Sequence, residues 1–364
     1  MTAAATRRTF FRGSVPILLA WLFCGVIEAS LATWGWLHES SPYPYHGEPG
    51  WPNALTGFDT EHYVRIARKG YTDSHPYEVV FFPLYPLLIR AVAPLVGFSW
   101  GSLAVSWAAS LTFFAALHRW TRGNVPWYLV FSPVAVFLFC GYSESLFLAL
   151  SAWAGWLWKE GRYPWAAFLL GLAGLTRNAG DVLIAAFFFA SLSRVQVKGA
   201  LWCIAAGAIA LLYPLYLWQH VGDPLAFMRY EAAWSRTAMP PWMSFLLDMR
   251  NGFWQLYLLH WTATAFATYL AVRYGKQERG AALFVLLDLF LALSAPIYFP
   301  PPHPQQLLGT TSLLRYIGGL YPLYIWGYTA IDRLPLPIKG TVLVLLAAAN
   351  SWIAYLWGTD FFIE

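Results

Sequence analysis

Residues 57–71 read GFDTEHYVRIARKGY, and FFPLYP follows at residues 81–86. Asp59 stands where a helix would begin, because a carboxylate there can accept hydrogen bonds from the first unpaired backbone N–H groups. Gly70 stands where the helix would end, because glycine readily adopts the left-handed conformation that terminates many helices. The first stretch therefore predicts a short helix, and the two prolines of the second stretch restrict the backbone that follows it.

The predicted helix has two unlike faces. At helical spacing, one face carries mostly apolar residues and the other carries cations, namely Tyr63, Ile66 and Ala67 against Arg65, Arg68 and Lys69. A short helix of this kind is typical of a segment that lies in the plane of a membrane surface. We therefore expect its apolar face to lie in lipid, and its cations to point toward headgroups or a bound phosphate.

The remainder of the chain is strongly apolar. Of its 364 residues, 59% are hydrophobic, 19% are aromatic and 11% are charged, whereas a soluble domain carries about 25% charged residues. Eleven apolar segments of about 12 to 23 residues can be drawn, and residues 127–140 form one of them. The predicted fold class is an all-α polytopic membrane protein. It is a single domain over residues 1–364 with about 11 transmembrane helices and an interfacial helix in its first long outer loop.

The positions of the positive charges predict the orientation of the chain. If residues 81–97 lie at the interface and do not cross, 14 of the 23 Lys and Arg residues fall on the cytoplasmic side, as the positive-inside rule requires. The long outer loops are then residues 38–80, 220–252 and 299–312, and the two termini face opposite sides. Among the acidic residues, only Glu160, Glu278 and Asp332 fall in inner loops, so we expect an active site on the extracytoplasmic face of an integral multi-pass membrane protein.

The residue inventory argues against several classes of ligand. Cys24, Cys140 and Cys203 lie within or at the ends of apolar runs, so they predict neither a disulfide framework nor a thiolate metal site. The sequence contains neither HExxH nor DxD, and we expect no tightly held metal and no other cofactor. The net charge of +5 does not indicate nucleic-acid binding, because basic residues in a membrane protein report its topology.

Two roles suit Asp59. It can be an ordinary helix cap, and it can also be a general base at the membrane surface, since capping and proton acceptance are compatible. His62, three residues further on, could orient or assist Asp59, or it could be a solvated histidine at the interface.

Three arginines on the predicted outer side are not explained by topology. Arg177 lies in GLTRNAGD, Arg236 in AAWSRTAMPPW and Arg315 in LLRYIGGLYPLY. Each could simply extend its guanidinium to the membrane surface. Alternatively they could bind a phosphate, which arginine grips with two parallel hydrogen bonds. Most of the Trp and Tyr residues fit interfacial belts and core packing, while a few near the outer loops could stack on a sugar or an isoprenoid chain.

Several of these motifs together resemble those of a known family. GFDTEHYVRIARKGY with FFPLYP resembles the signature of the PIG-V family of mannosyltransferases, within the GT-C superfamily of glycosyltransferases that use lipid-linked phosphosugars. Four more pieces match in the family's order, at residues 141–150, 171–180, 222–236 (followed by PPW) and 313–324. The signature often has Trp before its aspartate, where this chain has Phe58, although the acid itself is retained.

The resemblance implies an inverting transferase that moves mannose from a polyprenyl- or dolichyl-type phosphate to an acceptor hydroxyl. Asp59 matches the acidic residue of the family's first outer loop, and Glu78 matches the Glu before its FFP block. We expect Asp59 to be catalytic, and the residues that bind substrate or donor to be Arg177, Arg236, Arg315, Glu78, His62, Tyr63, Glu144, Asn178, Trp234 and Tyr316. The acceptor is expected to be a glycolipid, glycan or protein of a bacterial cytoplasmic membrane, with membrane lipid as the other partner and no nucleic acid.

Two rival interpretations remain. A GT-C transferase could use another lipid-linked sugar, such as arabinose or glucose. A flippase or transporter of lipid-linked sugars would also need cations on the outer side, together with a polar path through the spans. Glu28 and Asp288 are the mid-span ionisable residues that such a path could use.

Overall fold

The computed structural model describes residues 3–38, 51–121, 127–234, 236–250, 254–298, 307–308, 310 and 312–359. Within these ranges the chain is almost entirely helical, which confirms the all-α class. The α-helices are α1 (Ala3–Leu37), α2 (Asp59–Lys69), α3 (Leu84–Val96), α4 (Phe98–Trp120), α5 (Glu144–Lys159), α6 (Tyr163–Gly174), α7 (Asn178–Ser193), α8 (Val197–Ala210), α9 (Leu212–Val221), α10 (Ala226–Arg229), α11 (Trp242–Arg250), α12 (Trp254–Tyr274), α13 (Arg279–Leu293), α14 (Leu313–Gly318), α15 (Tyr321–Asp332) and α16 (Leu336–Gly358).

Shorter elements connect the helices. The 3-10 helices are Trp51–Leu55, Pro76–Val80, Trp127–Phe131, Ala135–Leu138 and Tyr230–Trp234. One antiparallel pair of two-residue strands, β1 (Ile297–Tyr298) and β2 (Leu307–Leu308), joins Ile297 to Leu308 and Tyr298 to Leu307.

Four helical stretches among the described residues are long and apolar enough to cross a membrane. They are Val15–Leu37, Phe98–Trp120, Val197–Val221 and Leu336–Gly358. Three shorter apolar helices accompany them, at Leu84–Val96, Tyr163–Gly174 and Asn178–Ser193. The four stretches confirm an integral membrane protein, while the total of about 11 spans stays a prediction.

The prediction that residues 127–140 cross the membrane is wrong. This segment forms two short 3-10 helices, Trp127–Phe131 and Ala135–Leu138. Pro133 lies between them, and proline lacks the N–H group that a continuous helix would need there. Residues 134–140 are all buried, so this stretch is apolar because it packs inside the protein.

The predicted long loops contain more structure than the sequence suggested. Residues 38–80 include α2 and two 3-10 helices, and residues 39–50 lie outside the described part of the chain. Residues 81–97 contain α3, whose place at the interface stays a prediction. Most of the predicted loop 299–312 also lies outside the described residues.

Two compact units can be distinguished within the predicted single membrane domain. The first comprises Met1–Arg68, Tyr85–Glu160 and Tyr324–Ile363. Here α1 packs so closely on α16 that a Cβ atom added at Gly358 would lie 1.9 Å from the Ala32 carbonyl oxygen. Asn350 of α16 donates a 2.7 Å hydrogen bond to the buried carboxylate of Glu28 on α1.

The second unit comprises Lys69–Leu84 and Gly161–Leu323. Its helices α6, α7, α8 and α13 pack on one another. Small residues allow the close approach, since a Cβ added at Gly171 of α6 would lie 2.6 Å from Ile209 of α8. The three cysteines are buried, as predicted.

Candidate functional site

Asp59 opens α2 in the first unit. The helix runs from Asp59 to Lys69 and is followed by Gly70 with φ of +75°, so the predicted start and end are confirmed. Phe58 has φ of +51°, a left-handed conformation that costs a residue with a Cβ atom on the order of 1–2 kcal/mol. Its ring packs edge-on against Trp357 at 5.3 Å between centroids. This contact stabilises the backbone conformation of Phe58 immediately before Asp59.

The apolar face of α2 packs against the protein, so the prediction that it lies in lipid is wrong. Tyr63, Ile66 and Ala67 expose only 4%, 5% and 2% of their surface. The Tyr63 ring lies edge-on to Tyr85 at 4.9 Å, and its hydroxyl is hydrogen-bonded to Ser143 at 2.8 Å. A periodic apolar face shows that a helix is covered on one side, but protein and lipid satisfy that pattern equally well.

The opposite face of α2 is more exposed. Arg65 forms an ion pair with Glu61 one turn earlier, and the Arg68 guanidinium lies 4.8 Å from the centre of the Phe98 ring. His62 is partly buried and lies one helical turn after Asp59. The cationic face is therefore present as predicted, and its location at a membrane surface stays a prediction.

A network of hydrogen bonds holds the backbone of Asp59. The Asp59 N–H donates to the Tyr142 hydroxyl at 3.2 Å. The Ser106 hydroxyl donates to the Tyr142 carbonyl at 3.0 Å, and Tyr85 is hydrogen-bonded to Ser106 at 2.8 Å. Glu144 begins α5 just after this point and is buried. Sequence reasoning missed Tyr142, although its position in GYSES beside Glu144 was a usable signal.

The second unit collects the three predicted arginines around Tyr316. Arg236 lies over the Tyr316 ring at 5.2 Å from its centre, and donates to the Ala295 carbonyl oxygen at 3.0 Å. Arg315, the residue before Tyr316, exposes only 7% of its surface. Arg177, which precedes α7, lies within electrostatic reach of the Tyr316 hydroxyl, as do Arg236 and Arg315.

Carboxylates lie near two of these cations. Glu231 lies 3.5 Å from the Nε atom of Arg236, and Asp288 lies within electrostatic reach of Arg177. Carboxylates and guanidinium groups therefore lie close together in this part of the second unit.

Glu78 and Trp234 lie in an aromatic framework of the same unit. Glu78 is fully buried within Pro76–Val80, and the Trp234 ring lies edge-on to Tyr77 and Phe81. Hydroxyl groups fix this segment, because Tyr71 donates to the Phe81 carbonyl and Tyr213 to the Val79 carbonyl, both at 2.6 Å.

The same framework is tied to the chain around Arg177. The Leu84 N–H donates to the Leu175 carbonyl at 2.9 Å, two residues before Arg177. Asn178, the residue after it, begins α7 with an exposed side chain that accepts a 2.9 Å hydrogen bond from the Ala179 N–H.

The structure therefore distributes the predicted site residues over both units. The first holds Asp59, His62, Tyr63 and Glu144, and the second holds Glu78, Arg177, Asn178, Trp234, Arg236, Arg315 and Tyr316. Among the described residues, no group of three His, Cys, Asp or Glu side chains could hold a metal ion. Independence from metals stays a prediction.

An apolar groove runs along α1 in the first unit. Its volume is about 700 Å³, and its walls include Trp21, Ala29, Trp107 and Phe139. It follows α1 from Trp21 to Leu37, a length of roughly 24 Å at the helical rise. The groove also reaches Leu55, whose carbonyl accepts a hydrogen bond from Gly141, the residue before Tyr142.

Two curated mannosyltransferases are similar to this chain. GPI alpha-1,6-mannosyltransferase 2 of Homo sapiens is 29% identical over 205 residues, which is 49% of this chain and 40% of the relative. GPI mannosyltransferase 2 of Yarrowia lipolytica is 28% identical over 149 residues, which is 39% of each chain. The chain therefore matches about 40% of the length of these relatives. No family model matches it.

A solved structure shares the fold. ArnT from Cupriavidus metallidurans, solved with bound undecaprenyl phosphate, superposes with a TM-score of 0.53 at 13% sequence identity. The match covers 95% of this chain and 76% of ArnT. These comparisons confirm the resemblance to PIG-V-type mannosyltransferases that the motifs indicated, and the chain shares the fold of ArnT.

Proposed function

We propose that this chain is an inverting, membrane-embedded mannosyltransferase. It moves mannose from a polyprenyl- or dolichyl-type phosphate to an acceptor hydroxyl at the extracytoplasmic face. The observation that carries the proposal is the convergence of Arg177, Arg236 and Arg315 around Tyr316. The names of the two relatives support mannose as the sugar, and the undecaprenyl phosphate in ArnT supports a polyprenyl phosphate as its carrier.

The arginines supply what a lipid phosphate needs. Arg236 is held by Ala295 and Glu231 and lies over Tyr316, so its guanidinium is already ordered before the donor arrives. Arg315 is largely buried, and a buried guanidinium gains more from a charge-assisted contact than one exposed to water. In the proposed complex these groups bind the phosphate and stabilise the charge that grows on it as the sugar leaves.

Asp59 is the proposed general base. The acceptor hydroxyl gives its proton to the Asp59 carboxylate while its oxygen attacks C1 of the sugar. The bond between C1 and the phosphate oxygen breaks, and its electron pair leaves with the polyprenyl phosphate. Because the phosphate charge is already stabilised, the leaving group needs no acid, and a single displacement inverts the configuration at C1.

The remaining predicted residues take supporting roles in this proposal. His62 and Glu144 lie in the first unit with Asp59 and shape the acceptor side, while Tyr63 anchors α2 through Ser143. Trp234 and Asn178 lie in the second unit with the arginines, where the indole ring offers a surface on which a sugar can stack. Buried Glu78 belongs to the framework that holds this segment in place.

The groove along α1 is the proposed position for the lipid chain of a substrate. The groove offers about 700 Å³ along roughly 24 Å of α1. An extended hydrocarbon chain is thinner than a helix, and the apolar walls exclude a polar occupant. A chain lying there would bring its headgroup end toward Leu55, four residues before Asp59.

The transporter alternative gains little support. Glu28, one of the two ionisable residues predicted for a polar path, is fully buried between α1 and α16 and accepts a hydrogen bond from Asn350. It therefore helps to join two helices.

A donor panel tests the proposed function. Purified protein in lipid nanodiscs is incubated with polyprenyl-phosphate mannose, glucose or arabinose and a pool of glycolipid acceptors, and the release of polyprenyl phosphate is measured. We expect release with the mannose donor. Release only with glucose or arabinose would contradict the choice of sugar, and movement of the donor across vesicles without release would indicate a flippase.

A further inference from the structure

A polar network lies in the second unit outside the residues assigned above. Asp248 on α11 is fully buried, and its carboxylate accepts three hydrogen bonds from Trp261 and Thr310. Trp261 donates to Oδ2 at 2.9 Å, the Thr310 N–H donates to Oδ1 at 3.1 Å, and the Thr310 hydroxyl donates to Oδ2 at 2.6 Å. The last distance is typical of a hydroxyl bonded to an ionised carboxylate.

His260 extends the network on its other side. Its Nδ1 atom lies 2.9 Å from the Thr310 hydroxyl oxygen. Because that hydroxyl has one hydrogen and gives it to Asp248, Nδ1 must carry the hydrogen of its own bond and donate it. Thr310 is thus fixed through its backbone and its side chain by partners on α11 and α12.

Thr310 controls the entry into α14. Its carbonyl accepts a hydrogen bond from the Leu313 N–H at 3.1 Å, and Ser312 between them has φ of +68°. α14 spans only Leu313–Gly318, and a helix this short is not stable without help from its surroundings. A left-handed serine is also an unfavourable start. The position of Arg315 on this helix therefore depends on the anchor at Thr310.

We propose that Asp248 is a positioning residue for the donor phosphate, acting through Thr310 on Arg315 and Tyr316. This inference rests on the proposed function, because it takes Arg315 as a phosphate ligand. Asp248 itself does not touch the donor in this proposal. Its carboxylate holds the start of α14 so that the Arg315 guanidinium points to the same place as those of Arg177 and Arg236.

The test compares variants in binding to undecaprenyl phosphate, measured at equilibrium in nanodiscs. In Asp248→Asn an NH2 group can take the place of Oδ2, where it would face two other donors, the Trp261 N–H and the Thr310 hydroxyl. We therefore expect binding about tenfold weaker, as for one or two lost hydrogen bonds. Thr310→Val keeps the shape and the N–H group but loses the hydroxyl, and we expect a loss of about threefold. Thr310→Ser should bind as the wild type does.

A double-variant cycle separates positioning from general damage. If Asp248 acts through Arg315, then Asp248→Asn should not weaken binding further once Arg315→Ala is present. Ser244→Ala is the matched control, because Ser244 is also fully buried on α11 and its hydroxyl donates a 2.7 Å hydrogen bond to the Leu293 carbonyl, away from Thr310. It should bind undecaprenyl phosphate as tightly as the wild type.

The outcomes are distinguishable from failure of the proposed function. Two results would overturn the positioning role alone, provided that the wild-type protein binds undecaprenyl phosphate. One is unchanged affinity in both Asp248→Asn and Thr310→Val. The other is a further loss of affinity when Asp248→Asn is added to Arg315→Ala. If the wild-type protein does not bind undecaprenyl phosphate, or Arg315→Ala binds it normally, the donor site itself is wrong and the inference falls with it. Should Asp248→Asn not fold, Thr310→Val with its serine control decides the question.

Discussion

Replacement of Asp59 by Asn tests the proposed base. The change keeps the size of the side chain and its capacity to cap α2, and it leaves the backbone hydrogen bond from residue 59 to Tyr142 in place. Asparagine cannot accept the proton of the acceptor hydroxyl. We therefore expect normal expression and donor binding, with transfer reduced by at least about 10²-fold, which corresponds to about 2.7 kcal/mol in the activation barrier.

Two further variants calibrate this loss. Glu61→Gln makes the same chemical change two residues further along α2, on an exposed acid that is paired with Arg65, so transfer should stay within about twofold of wild type. Tyr142→Phe removes the acceptor of the Asp59 N–H and keeps the carboxylate, so the loss should be about tenfold or less, as for one ordinary hydrogen bond.

The assay measures single-turnover release of polyprenyl phosphate with saturating donor and acceptor, alongside thermal unfolding of each variant. Saturation removes effects on binding, and the unfolding measurement removes effects on stability. Near-normal turnover in Asp59→Asn would refute the reasoning and leave Asp59 as a helix cap. Equal losses in Asp59→Asn and Glu61→Gln would show that α2 responds to its total charge and that Asp59 is not special.

Three other predictions concern the donor, the topology and the groove. Arg177→Ala and Arg315→Ala should each weaken donor binding by roughly 1.5–3 kcal/mol, the value of a charge-assisted contact; unchanged donor affinity with a loss of acceptor affinity would contradict the phosphate assignment. A cysteine that replaces Phe98 should react with membrane-impermeant thiol reagents added outside. The native cysteines are buried, so the label reports on residue 98. Labelling only from the cytoplasmic side would refute the predicted orientation. Ala29→Phe should lower affinity for the lipid substrate by narrowing the groove, whereas Val344→Phe, on an exposed position of α16, should not; equal effects would remove the groove from the proposal.

The sequence predicted local features well where one short segment contained the whole signal. The bounds of α2 followed from Asp59 and Gly70, and its buried face followed from the spacing of Tyr63, Ile66 and Ala67. What covers that face could not be predicted, because helical periodicity does not distinguish a protein neighbour from lipid. The same ambiguity explains the error at residues 127–140, where a buried core segment was mistaken for a span.

Features that depend on contacts between residues far apart along the chain could not be predicted from the sequence. Arg177, Arg236 and Arg315 are far apart along the chain, and only the packing of the second unit brings them around Tyr316. The position of Tyr142 in GYSES, two residues before Glu144, could have marked it, but its hydrogen bond to the Asp59 N–H depends on packing. The left-handed conformation of Phe58 was also invisible, because it is held by the contact with Trp357 and not by a glycine.

The most direct test of the central claim is the stoichiometry and stereochemistry of transfer by the purified wild-type protein. Polyprenyl-phosphate mannose labelled in the sugar is supplied with a glycolipid acceptor pool, and the mannose transferred, the polyprenyl phosphate released and the anomeric configuration of the product are measured together. The proposed mechanism predicts one polyprenyl phosphate released for each mannose transferred, with the configuration at C1 inverted. Retention of configuration, or transfer of mannose without release of the lipid phosphate, would contradict it.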